Sequence, residues 1–170
     1  MKNLTGSISD KEFEHLRQNN LGRLIDDLHF FFDAQALKYL RESGFPMIKS
    51  ADAHVMRTMR FEGSRITDMA RNAGISKQAM SKLVAVFIAN GFLTWADDPR
   101  DKRNRIVSVT DAGRELLTCG IAALHRAEKD IADIIGTDEL EKFRLVLIRI
   151  KQAKNIRPLA ARPQDRKRRT

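Results

Sequence analysis

The sequence predicts a mainly α fold of the α+β type, with long helices at both ends enclosing a helix-turn-helix and one short β-hairpin. Three observations carry this. Apolar residues recur at helical spacing over most of the 170 residues. A glycine separates two short amphipathic runs between about 67 and 90. Two strand-like runs then flank a polar, basic loop at 97–104.

The elements follow in order. Ser9-Asp10-Lys11-Glu12 has the form of a capping box, a serine oxygen that accepts from a backbone N–H and a glutamate three residues on. Phe13, Leu16, Leu21, Leu24, Leu28, Phe31, Phe32 and Leu40 recur at helical spacing and stop before Gly44 and Pro46, so one long helix over roughly 11–42 is expected. Ser50 is placed to cap a short helix at about 51–60, which Gly63 ends. Thr67 is placed to cap a third helix, Asp68 to Ala73, that stops at Gly74. Ser76 caps a fourth, Lys77 to Asn90, with Met80, Leu83, Val84 and Phe87 on one face. Phe92-Leu93-Thr94-Trp95 and Arg105-Ile106-Val107-Ser108-Val109 read as paired strands. Thr110 caps a fifth helix whose buried side is expected at Leu116, Leu117, Leu124, Ile131 and Ile134. Thr137-Asp138 opens a sixth, striped by Phe143, Val146, Leu147 and Ile150. From Asn155 the chain turns Pro- and Arg-rich and reads as a disordered basic tail over 156–170. Residues 1–155 are expected to form one domain, with a reading head at about 50–110 between helices at about 10–42 and 111–154.

Composition narrows the function classes. A 42% hydrophobic content builds a core, and no run is long enough to span a bilayer. The N-terminus lacks the apolar stretch of a signal peptide, so a cytoplasmic, nucleoid-associated protein without membrane contact is expected. One cysteine rules out an internal disulfide framework. The four histidines show no metal-ligand spacing, so neither a metal nor a cofactor is expected. No nucleophile–base pair or phosphate-cradling glycine loop is present, which argues against an enzyme. The net charge of +9 is unevenly spread: 0 over 1–59, +4 over 60–105, −2 over 106–150 and +7 over 151–170. Charge concentrated in this way suits a polyanionic partner, or a tail kept for solubility.

The segment 67–90 has the form of a DNA-reading helix-turn-helix. A recognition helix presents its first turns to the major groove and needs short hydrogen-bonding side chains there. Ser76, Lys77, Gln78, Ala79, Ser81 and Lys82 supply them. Gln78 suits an adenine edge and Ala79 a thymine methyl, while Ser76 and the first backbone N–H groups suit a phosphate. The following loop adds Arg100, Lys102 and Arg103, with Arg105 at the strand start. A basic hairpin here suits a wing that lies on the backbone and inserts an arginine into the minor groove. Asp101 among these cations reads as a brace for Arg103. Three alternatives stay open: a plain helical hairpin, an architectural or nonspecific DNA binder driven by the tail, and a protein-interaction module.

The segment Arg65 to Val84, the junction Asn90-Gly91-Phe92-Leu93, and Asp98-Pro99-Arg100-Asp101-Lys102-Arg103 followed by Val107 to Gly113 together resemble the MarR family of winged helix-turn-helix regulators. The resemblance implies long N- and C-terminal dimerisation helices, a homodimer, and binding to a palindromic operator in double-stranded DNA, usually as a repressor. It implies DNA contacts by Ser76, Lys77, Gln78, Lys82, Arg100 and Arg103, with Asp101 as the wing brace. It also implies release by a small, often aromatic, effector held between the dimerisation region and the reading head. His29 and His54 would approach each other if the first two helices pack together. With Phe32 they are the candidate effector-pocket residues, although aromatics at helical spacing also suit an ordinary core.

Overall fold

The computed structural model describes residues 8–98 and 105–153. Its elements are α1 (Asp10–Gln18), α2 (Leu21–Glu42), a 3-10 turn (Ser50–Asp52), α3 (Ala53–Thr58), α4 (Ile66–Ala73), α5 (Lys77–Ala89), β1 (Leu93–Asp97), β2 (Arg105–Val109), α6 (Asp111–Ile135) and α7 (Thr137–Ala153). The expected mainly α architecture with one hairpin is present. Among the described residues no helix is long and apolar enough to cross a membrane.

The expected single N-terminal helix is two. Asn19 ends α1, its N–H donating to the His15 carbonyl at 3.0 Å. The Asn20 side chain then accepts from Arg23 N–H at 3.0 Å and caps α2. Asparagine competes well for backbone groups at helix ends, and two in succession stop one helix and start another. The apolar spacing runs through the break, so periodicity alone does not show it.

Caps at Ser9, Ser76 and Thr110 form as expected, each side chain accepting from the N–H three residues on. Two expected starts move. Ser50 opens the 3-10 turn rather than capping a helix, and the buried Asp52 carboxylate accepts from Lys49 N–H at 2.8 Å. The third predicted helix starts at Ile66 instead of being capped by Thr67. The cause is Ser64, which exchanges two 2.9 Å backbone bonds with Val107 of β2 and holds the chain extended until Arg65.

β1 and β2 pair antiparallel from Leu93↔Val109 to Asp97↔Arg105. Phe92 stays outside the strand because its N–H bonds back to Phe87 O at 2.9 Å. The hairpin and α3–α5 close over a core of Val55, Met69, Met80, Val84, Val107 and Leu116, all essentially inaccessible to solvent. Phe92 meets Phe45 and Phe87 edge-on, with ring centroids 5.9 and 6.0 Å away.

The buried side of α6 differs from expectation. Leu116, Gly120, Ala123 and Ala127 face inward, whereas Leu124 and Ile134 are exposed. Small residues let α2 and α6 lie close. Tyr39 Oη donates to Asp130 at 2.6 Å, and the Arg126 guanidinium sits 3.8 Å from the Tyr39 ring centroid. The bond to the Asp130 carboxylate, then burial, push the Tyr39 hydroxyl above its ordinary pKa. Neither α1 nor α7 buries any residue within the single chain.

Candidate nucleic-acid interface

The interface is built from the turn outward. Gly74 takes φ +69° and ψ +24°, a left-handed conformation that costs glycine little. Ile75 N–H then bonds to Ala70 O at 3.1 Å, closing the turn between α4 and α5. Ser76 Oγ accepts from Ala79 N–H at 3.1 Å, so α5 starts with one orphan donor satisfied and no acidic residue in its first turn. Its positive end therefore stays available to an anion.

The two faces of α5 divide sharply. Met80, Val84 and Phe87 are buried, which pins the helix to the core. Ser76, Lys77, Gln78 and Lys82 are exposed, with Ala79 and Ser81 half-buried beside them. A three- to four-residue spacing brings this polar set onto one side. Leu83, expected on the inner face, is half-buried.

The stem of the hairpin stands next to this helix. Arg105 opens β2 opposite Asp97, and its guanidinium lies 5.2 Å from the centroid of the Trp95 ring. Arg100, Lys102, Arg103 and Asp101, the expected brace, lie outside the described residues.

The structure adds an ion pair that the sequence did not suggest. Asp98 is only 4% exposed, and Arg65 Nε donates to its Oδ2 at 2.6 Å with Nη2 of the same guanidinium at 2.5 Å. Arg65 is the residue just before α4, so the pair ties the helix-turn-helix to the outgoing end of β1. The one hint in the sequence is an acidic residue at the mouth of a basic loop, and the partner lies 33 positions away.

The candidate effector residues fall in different places relative to two apolar clefts. His29 and Phe32 line a cleft of about 260 Å³ between α2, α6 and α7, beside the Arg144–Glu128 ion pair at 2.9 Å. His29 faces Asp33 at 3.6 Å. His54 belongs to α3 and lines neither this cleft nor the apolar crevice, also about 260 Å³, between α2, α3 and α6. Leu40, Met56, Met59 and Leu117 line that crevice, and Asp33 and Arg57, paired at 3.2 Å, are the charged residues of its lining. Among the described residues no group of His, Cys, Asp and Glu is arranged to hold a metal.

No known family profile and no curated protein matches the sequence. Solved structures do. A transcriptional regulator from Thermotoga maritima is 23% identical with a TM-score of 0.55, over 86% of this chain and 96% of that one. Apo MarR from E. coli is 19% identical with a TM-score of 0.64, over 77% and 96%. CouR from Rhodococcus jostii, bound to p-coumaroyl-CoA, is 21% identical with a TM-score of 0.63, over 78% and 92%. The architecture of this chain is the winged helix-turn-helix fold of the MarR-type transcriptional regulators.

Proposed function

We propose that the chain is a sequence-specific transcriptional regulator that binds double-stranded DNA with α5 in the major groove and the hairpin beside it. The observation that carries this reading is the division of α5. One face is locked into the core, and the other offers Ser76, Lys77, Gln78 and Lys82 to solvent at the unobstructed positive end of the helix. Gln78 has the geometry class for adenine readout, and the lysines suit phosphates.

A homodimer fits the rest of the molecule. Leu145, Val146, Leu147 and Ile148 in α7 are each more than 40% exposed, so α7 is apolar on several sides at once. Such a helix is stable only when covered from more than one direction. α1 and α2 expose Phe13, Leu16, Leu21, Leu24 and Ile25. A second copy covers both sets and presents two recognition helices about 34–36 Å apart, one turn of duplex, which suits a palindromic operator.

Repression relieved by a small molecule fits the crevice between α2, α3 and α6. It joins the helix that supports the reading head to the dimerisation helices, and its lining is apolar apart from Arg57, Asp33 and Ser50. A second reading is a nonspecific DNA binder, favoured by the +7 carried over 151–170. Competition separates the two at physiological salt. A regulator prefers the region upstream of its own gene over random duplex by about 10³-fold or more. Equal affinity for both identifies the nonspecific binder.

A further inference from the structure

We infer that Arg65 and Asp98 form a clamp that sets the pose of the wing on DNA, a pair of positioning residues; the inference rests on the DNA-binding reading above. A two-stranded hairpin is marginal by itself, so its direction has to be fixed by something else. Two adjacent residues do this from opposite sides. Ser64 bonds to the middle of β2 through two 2.9 Å backbone bonds. Arg65 holds the carboxylate of Asp98, where the chain leaves β1, through two guanidinium nitrogens. The pair is asymmetric in exposure: the Asp98 side chain is 5% exposed and that of Arg65 41%. A carboxylate buried to that degree is costly without charged or hydrogen-bonding partners, and Arg65 is one of those of Asp98. The same residues lead directly into α4, whose Gly74 turn aims α5. Wing stem and recognition helix therefore share one anchor, and the basic run Arg100 to Arg103 starts two residues after it.

Electrostatics and positioning predict opposite signs for one substitution. Asp98→Asn removes a negative charge beside the DNA face. By charge alone it tightens binding and leaves the salt dependence unchanged. By loss of the clamp it weakens binding and flattens the salt dependence, because the wing's phosphate contacts are lost although no cation has been removed.

The test measures the affinity of the full chain, across salt concentrations, for a duplex recovered by the wild type from a random pool. The variants are Asp98→Asn, Arg65→Gln, the double variant and Arg65→Lys. Far-UV circular dichroism and the fluorescence of Trp95, the only tryptophan, confirm that each is folded. The clamp predicts that Asp98→Asn binds about tenfold or more weakly, with a shallower salt slope. It predicts that the double variant is no worse than the poorer single one. Arg65→Lys, which keeps the charge but loses the fork, falls between wild type and Arg65→Gln and carries the test if Asp98→Asn does not fold. Additive losses, an unchanged or tighter Asp98→Asn, or wild-type binding by Arg65→Lys overturns the clamp alone. A wild-type chain that binds no duplex brings down the DNA-binding reading, and the clamp with it.

Discussion

Gly113→Ala sets two effects of known sign against each other. Gly113 lies in the first turn of α6, where alanine is the better helix former by about 1 kcal/mol. A Cβ at this position meets the Phe92 carbonyl oxygen at 1.9 Å, its carbon at 2.9 Å and Val109 Cγ1 at 3.0 Å. The nearest neighbour is backbone, and it is held. Phe92 O accepts from Thr110 N–H at 3.1 Å, and Thr110 Oγ1 both donates to Gly91 O at 2.6 Å and caps Gly113 N–H at 3.0 Å. Relief needs a shift of about 1 Å in that stitched junction, and overpacking of this kind costs roughly 1–3 kcal/mol or more. The clash wins, and the net loss is about 2 kcal/mol. In urea the midpoint falls by about 1 M, compared at one protein concentration because the stability of the proposed dimer depends on it. Gly120→Ala is the control, since its Cβ meets only Met56 Cε at 2.6 Å, the mobile end of a flexible side chain. It loses clearly less. A midpoint for Gly113→Ala that rises, as propensity alone predicts, refutes the account of the α6 junction.

Four other substitutions probe other parts of the molecule. Gln78→Ala costs about 1–3 kcal/mol on the preferred duplex and relaxes preference at one base pair, whereas Lys82→Ala weakens all sequences alike and lowers the salt slope by about one; quantitative band-shift titrations on matched and mismatched duplexes read both, and equal losses everywhere for Gln78→Ala would remove it from direct readout. Leu147→Asp in α7 puts a charge into the apolar surface assigned to the second copy, so sedimentation is expected to show a folded monomer with weakened operator binding; an unchanged dimer places the interface elsewhere. Tyr39 holds its proton above its ordinary value of 10.0 because of the bond to Asp130 and its burial. The folded chain thus binds that proton more tightly than the unfolded one. This contribution to stability is complete below about pH 10 and is lost as pH rises through the higher folded value. Tyr39→Phe flattens the alkaline limb of stability against pH, and a limb as steep as the wild type's would show that Tyr39 does not cause it.

Local chemistry made much of the fold legible. Ser9, Ser76 and Thr110 announce helix starts because each side chain satisfies an N–H three residues away, and Gly74 announces a turn because its left-handed geometry is cheap for glycine. The exposed face of α5 was readable because Met80, Val84 and Phe87 fix which side turns inward. What escaped depends on distant partners. The start of α4 is set by Val107, 43 positions from Ser64. The partners Arg65 and Asp98 are 33 positions apart. Leu124 and Ile134 were expected inside, but Leu116, Gly120, Ala123 and Ala127 form the inward side of α6 and leave them exposed in the single chain. His29 and Phe32 share a cleft lined by α2, α6 and α7, whereas His54 belongs to α3, which contributes nothing to that lining.

In the proposed function two copies of α5 read duplex DNA through Ser76 to Lys82. Selection of bound sequences from a random duplex pool tests it most directly. The expected result is a consensus of two inverted half-sites about 10–10.5 base pairs apart, centre to centre, in which Gln78→Ala blurs one position of each half. A pool that stays random, or a consensus without two-fold symmetry that Gln78→Ala leaves intact, would contradict it.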